Sequence, residues 1–166
     1  MKIVQISSEI APIAKVGGLA DVVFGLSKEL VTLGHDVTVI LPKYDILQIK
    51  ELENLHVEQE EFFSSEGGYR FKNRVWKAEL YGVNLVLIEP HHPRGYFERK
   101  TLYGCPDDVD RFLYFSTAVL DYLVKANLLI DVVLLHDWMT AGVALFYKEL
   151  YQKKGLVLPP PLLYNP

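Results

Sequence analysis

Residues 2–42 read KIVQISSEIAPIAKVGGLADVVFGLSKELVTLGHDVTVILP, and the apolar period changes twice along them. Ile3, Val4 and Ile6 make a short apolar run that stops at Ser7-Ser8, as a buried strand does. A loop follows, holding Pro12, Lys15 and the pair Gly17-Gly18. From there Leu19, Val22, Val23, Leu26, Leu30 and Leu33 recur at three- and four-residue steps, the spacing of one helix face. Gly34 stands just past the last of them, where a helix terminates most easily. Residues 36–41, DVTVIL, are apolar and β-branched, and Pro42 ends them. Strand, glycine-containing loop, helix, strand is a βαβ unit, so its two strands are expected to lie parallel with a right-handed crossover.

Working outward, residues 47–55 suggest one or two helical turns. Segments 57–63 and 69–80 flank Ser64-Ser65-Glu66-Gly67-Gly68, a hairpin signal. Residues 83–88, VNLVLI, return to the buried-strand type, which predicts a parallel core strand with the hairpin inserted beside the sheet. Beyond Pro106 the helical period reappears in Val109, Phe112, Leu113, Phe115, Val119, Tyr122 and Leu123, with Asp107 or Asp108 as the N-cap. Residues 131–135 read as a strand, 140–151 as a helix, and 162–164 as the start of another strand. The fold class is therefore α/β: a Rossmann-like, mostly parallel sheet with helices on both faces and an inserted β-hairpin. The one compositional oddity is Leu158-Pro159-Pro160-Pro161.

The chain has 166 residues, 50% of them hydrophobic and 23% charged, which suits one globular domain and argues against disorder. A formal charge of −4 disfavours general affinity for nucleic acid or an anionic membrane. The single cysteine, Cys105, cannot close an intrachain disulfide, and the opening residues are too short an apolar run for a signal peptide. A cytoplasmic protein is the expectation.

Two places carry chemistry. Lys15-Val16-Gly17-Gly18-Leu19 lies between the first strand and the first helix, at the strand end where open α/β sheets bind ligands. Adjacent glycines allow a phosphate to approach the backbone, and the helix N-terminus and Lys15 favour its charge. The same residues also read as a tight turn with an exposed lysine. The spacing is neither GxGxxG nor a Walker A loop. His136-Asp137-Trp138 ends the strand VVLL and is expected to face the same crevice. There His136 is placed to hydrogen-bond a sugar or phosphate, with Asp137 as an N-cap and Trp138 in the core or against a sugar face. His91-His92 has no third metal ligand at a convincing spacing, so no metal is expected and the pair reads as loop. The acidic run 58–61 reads as a solvated edge strand.

Taken together, three segments resemble the glycogen and starch synthases, in family order: SSEIAPIAKVGGLADVVFGLSKELVTLGHDVTVILPKYD, PDDVDRFLYFSTAVLDYL and HDWMTAGVALFY. The resemblance implies a GT-B architecture, two Rossmann-like domains across a cleft, with residues 1–166 as the N-terminal one and a C-terminal nucleotide-binding domain outside this chain. It implies retaining transfer of glucose from ADP-glucose or UDP-glucose to the end of an α-1,4-glucan. The sugar nucleotide and the α-glucan are then the partners, and no cofactor is needed beyond the donor itself. By the same resemblance Lys15, Gly17 and Gly18 meet the diphosphate, and His136 lies near the transferred glucose with Asp137 in the substrate-binding set. Asp107 stands near the acceptor or supports the cleft, and with His136 it makes up the catalytic pair.

The family often has a second histidine after the tryptophan, and here Met139 stands there. With half a cleft, the isolated chain is expected to have little activity, and its exposed inter-domain face is expected to favour self-association. Two rivals remain: a transferase with another acceptor, and a non-catalytic glucan- or partner-binding domain. For the latter, Tyr69, Trp76, Tyr81, Tyr96 and Phe97 are the available aromatics.

Overall fold

In a computed structural model, residues 1–155 and the backbone of 162–164 are described; the proline tract at 158–161 lies outside them. The first βαβ unit is as expected. Strand β1 (Lys2–Ile6) pairs in parallel with β2 (Asp36–Pro42), and α1 (Gly18–Thr32) connects them. Gly34, at φ 81°, ends α1: its N–H donates to the Val31 carbonyl at 2.9 Å and that of His35 to the Leu30 carbonyl at 3.0 Å. That double bond closes the orphan carbonyls of the last turn. Leu33, read as part of the buried face, is instead 70% exposed, because the chain has already left the helix there.

The sheet continues through β3 (Glu53–Glu66), β4 (Tyr69–Leu80), β5 (Val83–His91), β6 (Val132–His136) and β7 (Leu162–Tyr164), in the order β3-β4-β5-β2-β1-β6-β7. The five strands β5, β2, β1, β6 and β7 are parallel, and β3 and β4 are antiparallel. The hairpin is thus the edge of the main sheet rather than an insertion beside it. Gly67 and Gly68, at φ 57° and 83°, supply the turn that only primed hairpins need. Strand β3 begins at Glu53, so the expected helical turns shrink to a short 3₁₀ turn at Ile49–Glu51. The acidic run lies on this edge, each carboxylate facing a cation of β4: Glu58 with Lys77 at 2.7 Å, Glu60 with Arg74 at 3.2 Å and Glu61 with Lys72 at 3.8 Å.

Right-handed crossovers put α1 on one face, and α2 (Asp108–Ala126) and α3 (Trp138–Phe146) on the other. Strands between two helical layers must be apolar on both sides, and Ile3, Val4 and Ile6 of β1 and Val39, Ile40 and Leu41 of β2 are all buried. Phe62 of β3 meets Tyr122 of α2 at 6.5 Å, which anchors the hairpin to the same core. Helices α2 and α3 approach closely at Gly142, where a Cβ would stand 2.8 Å from Ser116 Oγ. Beyond Phe146 the expected helix widens into a π turn, Tyr147–Tyr151, with both tyrosines buried. No helix among the described residues is long and apolar enough to cross a membrane.

Candidate functional site

Strand order fixes where a ligand can bind. The chain runs from β1 outward to β2 and β5, then returns to β6 on the other side of β1. The connections after β1 and after β6 therefore diverge, and the crevice between them at the carboxyl ends is the switch point of the sheet. Both motifs singled out in the sequence end there.

The loop after β1 is tightly organised. Ser7 N–H donates to the Ile40 carbonyl at 3.1 Å, Ser7 Oγ bonds Glu9 at both its carbonyl (2.8 Å) and its N–H (3.1 Å), and Ile10 and Ala14 exchange two bonds of 2.9 Å. Glu9 turns inward, 1% exposed, and its Oε2 accepts the N–H groups of Val16 at 2.6 Å and Gly17 at 3.1 Å. Thus the Gly17 N–H does not stand free for a phosphate; a carboxylate of the chain itself takes it. Gly18, the first residue of α1, remains exposed.

Neither glycine is demanded by the fold. Gly17 has an ordinary extended φ of −131°, and a Cβ on Gly18 would meet nothing within 4 Å. Gly17 is the N-cap of α1, a position that accepts glycine readily. Gly18 lies inside the first turn, where glycine has no conformational advantage over alanine, so its side chain is missing for a reason other than backbone strain. The open space the glycines leave lies before the first turn of α1, with its unsatisfied N–H groups. Beside it, Lys15 Nζ meets both oxygens of Asp21 at 2.7 Å on the surface. Asp21 is legible in the sequence only as an acidic residue in the first helical turn, and its pairing with Lys15 emerges from the structure.

The β6 side differs more from expectation. His136 is wholly buried, and its ring Nε2 lies 2.7 Å from Gln5 Oε1. Gln5 Nε2 donates to Ser27 Oγ at 2.8 Å, and Ser27 donates on to the Val23 carbonyl at 2.7 Å. Since an amide oxygen only accepts, His136 carries its proton on Nε2. Burial pushes this imidazole down to about 4, so it is neutral at pH 7. His136 is thus a link from β6 through β1 to α1, inside the protein rather than facing the crevice.

Asp137 caps α3, its carboxylate accepting the Trp138 N–H at 2.5 Å, with backbone φ at 64°. A non-glycine residue held there is strained, a feature that concentrates at functional sites. Trp138 is 51% exposed and not in the core; with Val109, Leu113 and Leu145 it forms an apolar strip on α2 and α3. Met139, in place of the family histidine, is buried and packs into the core.

The third wall is the 92–107 loop, which carries no periodic signal. Arg111, wholly buried, pins it by donating to the Tyr96 carbonyl at 2.8 Å, to the Leu102 carbonyl and to Asp108 at 2.8 Å. Asp107 precedes α2, but its side chain does not cap the helix. Arg99 holds it instead through two bonds of 2.6 and 2.8 Å, and that guanidinium keeps the Asp107 carboxyl down at about 2. An ion pair so fixed suits support of the cleft, not proton transfer. Tyr103 reaches toward the glycine loop, its hydroxyl 3.8 Å from where a Gly17 Cβ would stand. Burial, and then the neighbouring Glu9 carboxylate, push its phenol up to about 12.

Cys105, Asp107 and Asp108 lie close enough to suggest a metal, yet both carboxylates already bond arginines. His92 lies in the loop directly after β5, as read from the sequence, but it is buried, stacked on Tyr96 with centroids 4.2 Å apart and 3.0 Å from Glu66. Of the aromatics, Tyr69 and Tyr81 are exposed, Trp76 is half-buried, and Tyr96 and Phe97 are buried. A cavity of about 620 Å³ lies away from the crevice, between the hairpin tip, α2 and the π turn.

The family model described as "Starch synthase catalytic domain" matches residues 2–165. A glycogen synthase of Protochlamydia amoebophila is 49% identical over 159 residues, covering 96% of this chain and 32% of that protein. Probable starch synthase 4 of Arabidopsis thaliana is 45% identical over 157 residues, covering 93% of this chain and 15% of that protein. The solved catalytic domain of starch synthase IV from Arabidopsis thaliana, bound to ADP and acarbose, superposes with a TM-score of 0.92 at 41% identity, covering 99% of this chain and 33% of that one. The chain therefore spans about a third of the length of the glycogen synthase it matches. On a match that runs nearly from end to end, the chain belongs to the starch synthase catalytic domain family.

Proposed function

We propose that this chain forms one wall of a glucosyltransferase cleft, in which glucose passes from a sugar nucleotide to the end of an α-1,4-glucan. The observation that carries the reading is the unfilled space before α1. Two glycines that the backbone does not require, an exposed lysine and a helix N-terminus converge on it at the switch point of the sheet. A departing diphosphate, which gains negative charge as its bond to the sugar breaks, is stabilised by such groups, most of all where they are already aimed. Similarity to a catalytic domain solved with ADP and acarbose supports both ligand classes, and supports ADP-glucose over UDP-glucose as the donor.

The other residues have defined parts in this scheme. Asp137, at the carboxyl end of β6, is the substrate-binding carboxylate of this scheme, His136 ties the strand that carries it to β1, and the Arg99–Asp107 pair shapes the acceptor side. A second domain, such as the longer relatives have room for, would close the cleft and exclude water, so the chain alone transfers little or no glucose.

Lys15 gives the test. Its pair with Asp21 is exposed, and exposed pairs contribute about 0–1 kcal/mol, so Lys15→Ala leaves the fold intact. ADP affinity, measured by calorimetry, is expected to fall about tenfold, the loss of one charge-assisted contact. An unchanged dissociation constant with an unchanged melting temperature would remove Lys15 from the site.

A further inference from the structure

Among the described residues Glu9 is the one carboxylate of the crevice that turns wholly inward, and it bonds the glycine loop rather than a cation. No lysine or arginine pairs with it among the described residues; the N–H groups of Val16 and Gly17 take that place. A buried carboxylate that accepts backbone N–H bonds is held firmly, and it holds the donors just as firmly. A phosphate oxygen would use the same two donors in the same geometry. Glu9 is thus a built-in anion in the part of the loop that the sequence assigns to an incoming one.

We propose that Glu9 is a positioning residue of the donor site, whose carboxylate fills the Val16–Gly17 amide pair and moves the diphosphate one step along, onto the first-turn amides of α1 beginning at Gly18. The inference rests on the functional reading above. It accounts for the unequal state of the two glycines, one N–H spoken for and the next residue exposed. It also gives Glu9 two effects on an anion: the carboxylate shapes the loop that receives it, and like charge keeps it out of the first position. Tyr103, raised beside the same carboxylate, closes that position from the opposite loop.

Backbone amide spectra of the ¹⁵N-labelled 166-residue chain test this directly, with ADP as the probe. In the unsubstituted protein, ADP is expected to move the Gly18 and Leu19 amides and to leave Val16 and Gly17 nearly still. In Glu9→Ala the Val16 and Gly17 amides become responsive to ADP and affinity falls about tenfold; loss of structure alone would not redirect the response. If that variant fails to fold, Glu9→Gln, which keeps the side-chain shape and removes the charge, serves in its place. Equal ADP shifts at Val16, Gly17 and Gly18 in the unsubstituted protein would overturn the proposal, as would an unaltered response in the variants. An unsubstituted chain with no response to ADP overturns the functional reading instead. Free-protein spectra of Glu9→Gln then judge the clamp alone, and unmoved Val16 and Gly17 amides would refute it.

Discussion

Replacing Arg111 by leucine is expected to cost the folded chain about 3–5 kcal/mol, the usual loss when one partner of a buried charged network is removed. The guanidinium is fully buried, lies 5.5 and 5.0 Å from the ring centroids of Phe97 and Phe112, and donates to two carbonyls and one carboxylate. Leucine fills part of the volume, leaves the Tyr96 and Leu102 carbonyls without this donor, and leaves Asp108 with the Gly104 N–H alone. For a domain of this length each kcal/mol moves the melting temperature by about 2–4 °C, so a drop of roughly 10 °C is expected. Arg111→Lys should recover little, because a single ammonium cannot reach three acceptors set in different directions. Urea unfolding measures both variants; a leucine variant within 1 kcal/mol of the parent would show that the 92–107 loop is held by something else. Tyr103 and Asp107 ride on that loop, so the same substitution should weaken ligand binding before it unfolds the chain.

Acid is expected to destabilise the chain through His136. Its folded imidazole is held down to about 4, whereas an unfolded histidine titrates near 6.5. Between those values the unfolded state binds a proton that the folded state refuses, so falling pH favours unfolding. The stabilisation is complete above about pH 6.5 and is lost progressively toward pH 4. At about 1.4 kcal/mol per pH unit the loss is about 3 kcal/mol. His136→Asn keeps a donor for Gln5 Oε1 and removes the titration, so its stability should decline less over the same range, whatever it loses at neutral pH. Urea unfolding at pH 7, 5.5 and 4.5 compares the two. Parallel declines would mean that His136 is not the group responsible.

Much of this architecture is legible in the sequence because it rests on local rules. The first βαβ unit follows from the change in apolar period at Leu19 and from Gly34, which takes up the positive φ that ends α1. The hairpin follows from Gly67-Gly68, and the position of both candidate loops follows from the ends of the strands that precede them. What stayed hidden depends on contacts between distant segments. Arg111 sits on an amphipathic helix, where an arginine is usually at the surface; only the carbonyls of the 92–107 loop explain its burial. Glu9 and Tyr103 lie in stretches with no period, and their meaning comes from the neighbour each finds. A strand end directs His136 toward the crevice, yet alternation along β6 turns its side chain toward Gln5. Periodicity puts Leu33 on the buried face and leaves Trp138 either in the core or against a ligand; the exposure of both reflects the ends of helices, where a periodic pattern loses its hold on direction.

The most direct test of the account is a calorimetric titration of ADP into the 166-residue chain, repeated with Lys15→Ala. One-to-one binding to the unsubstituted chain, weakened about tenfold in the variant, is the predicted result for a wall of the donor site that is organised before its partner domain arrives. No binding at millimolar ADP by a chain shown to be folded, or binding that Lys15→Ala leaves untouched, would contradict it and place the nucleotide contacts elsewhere.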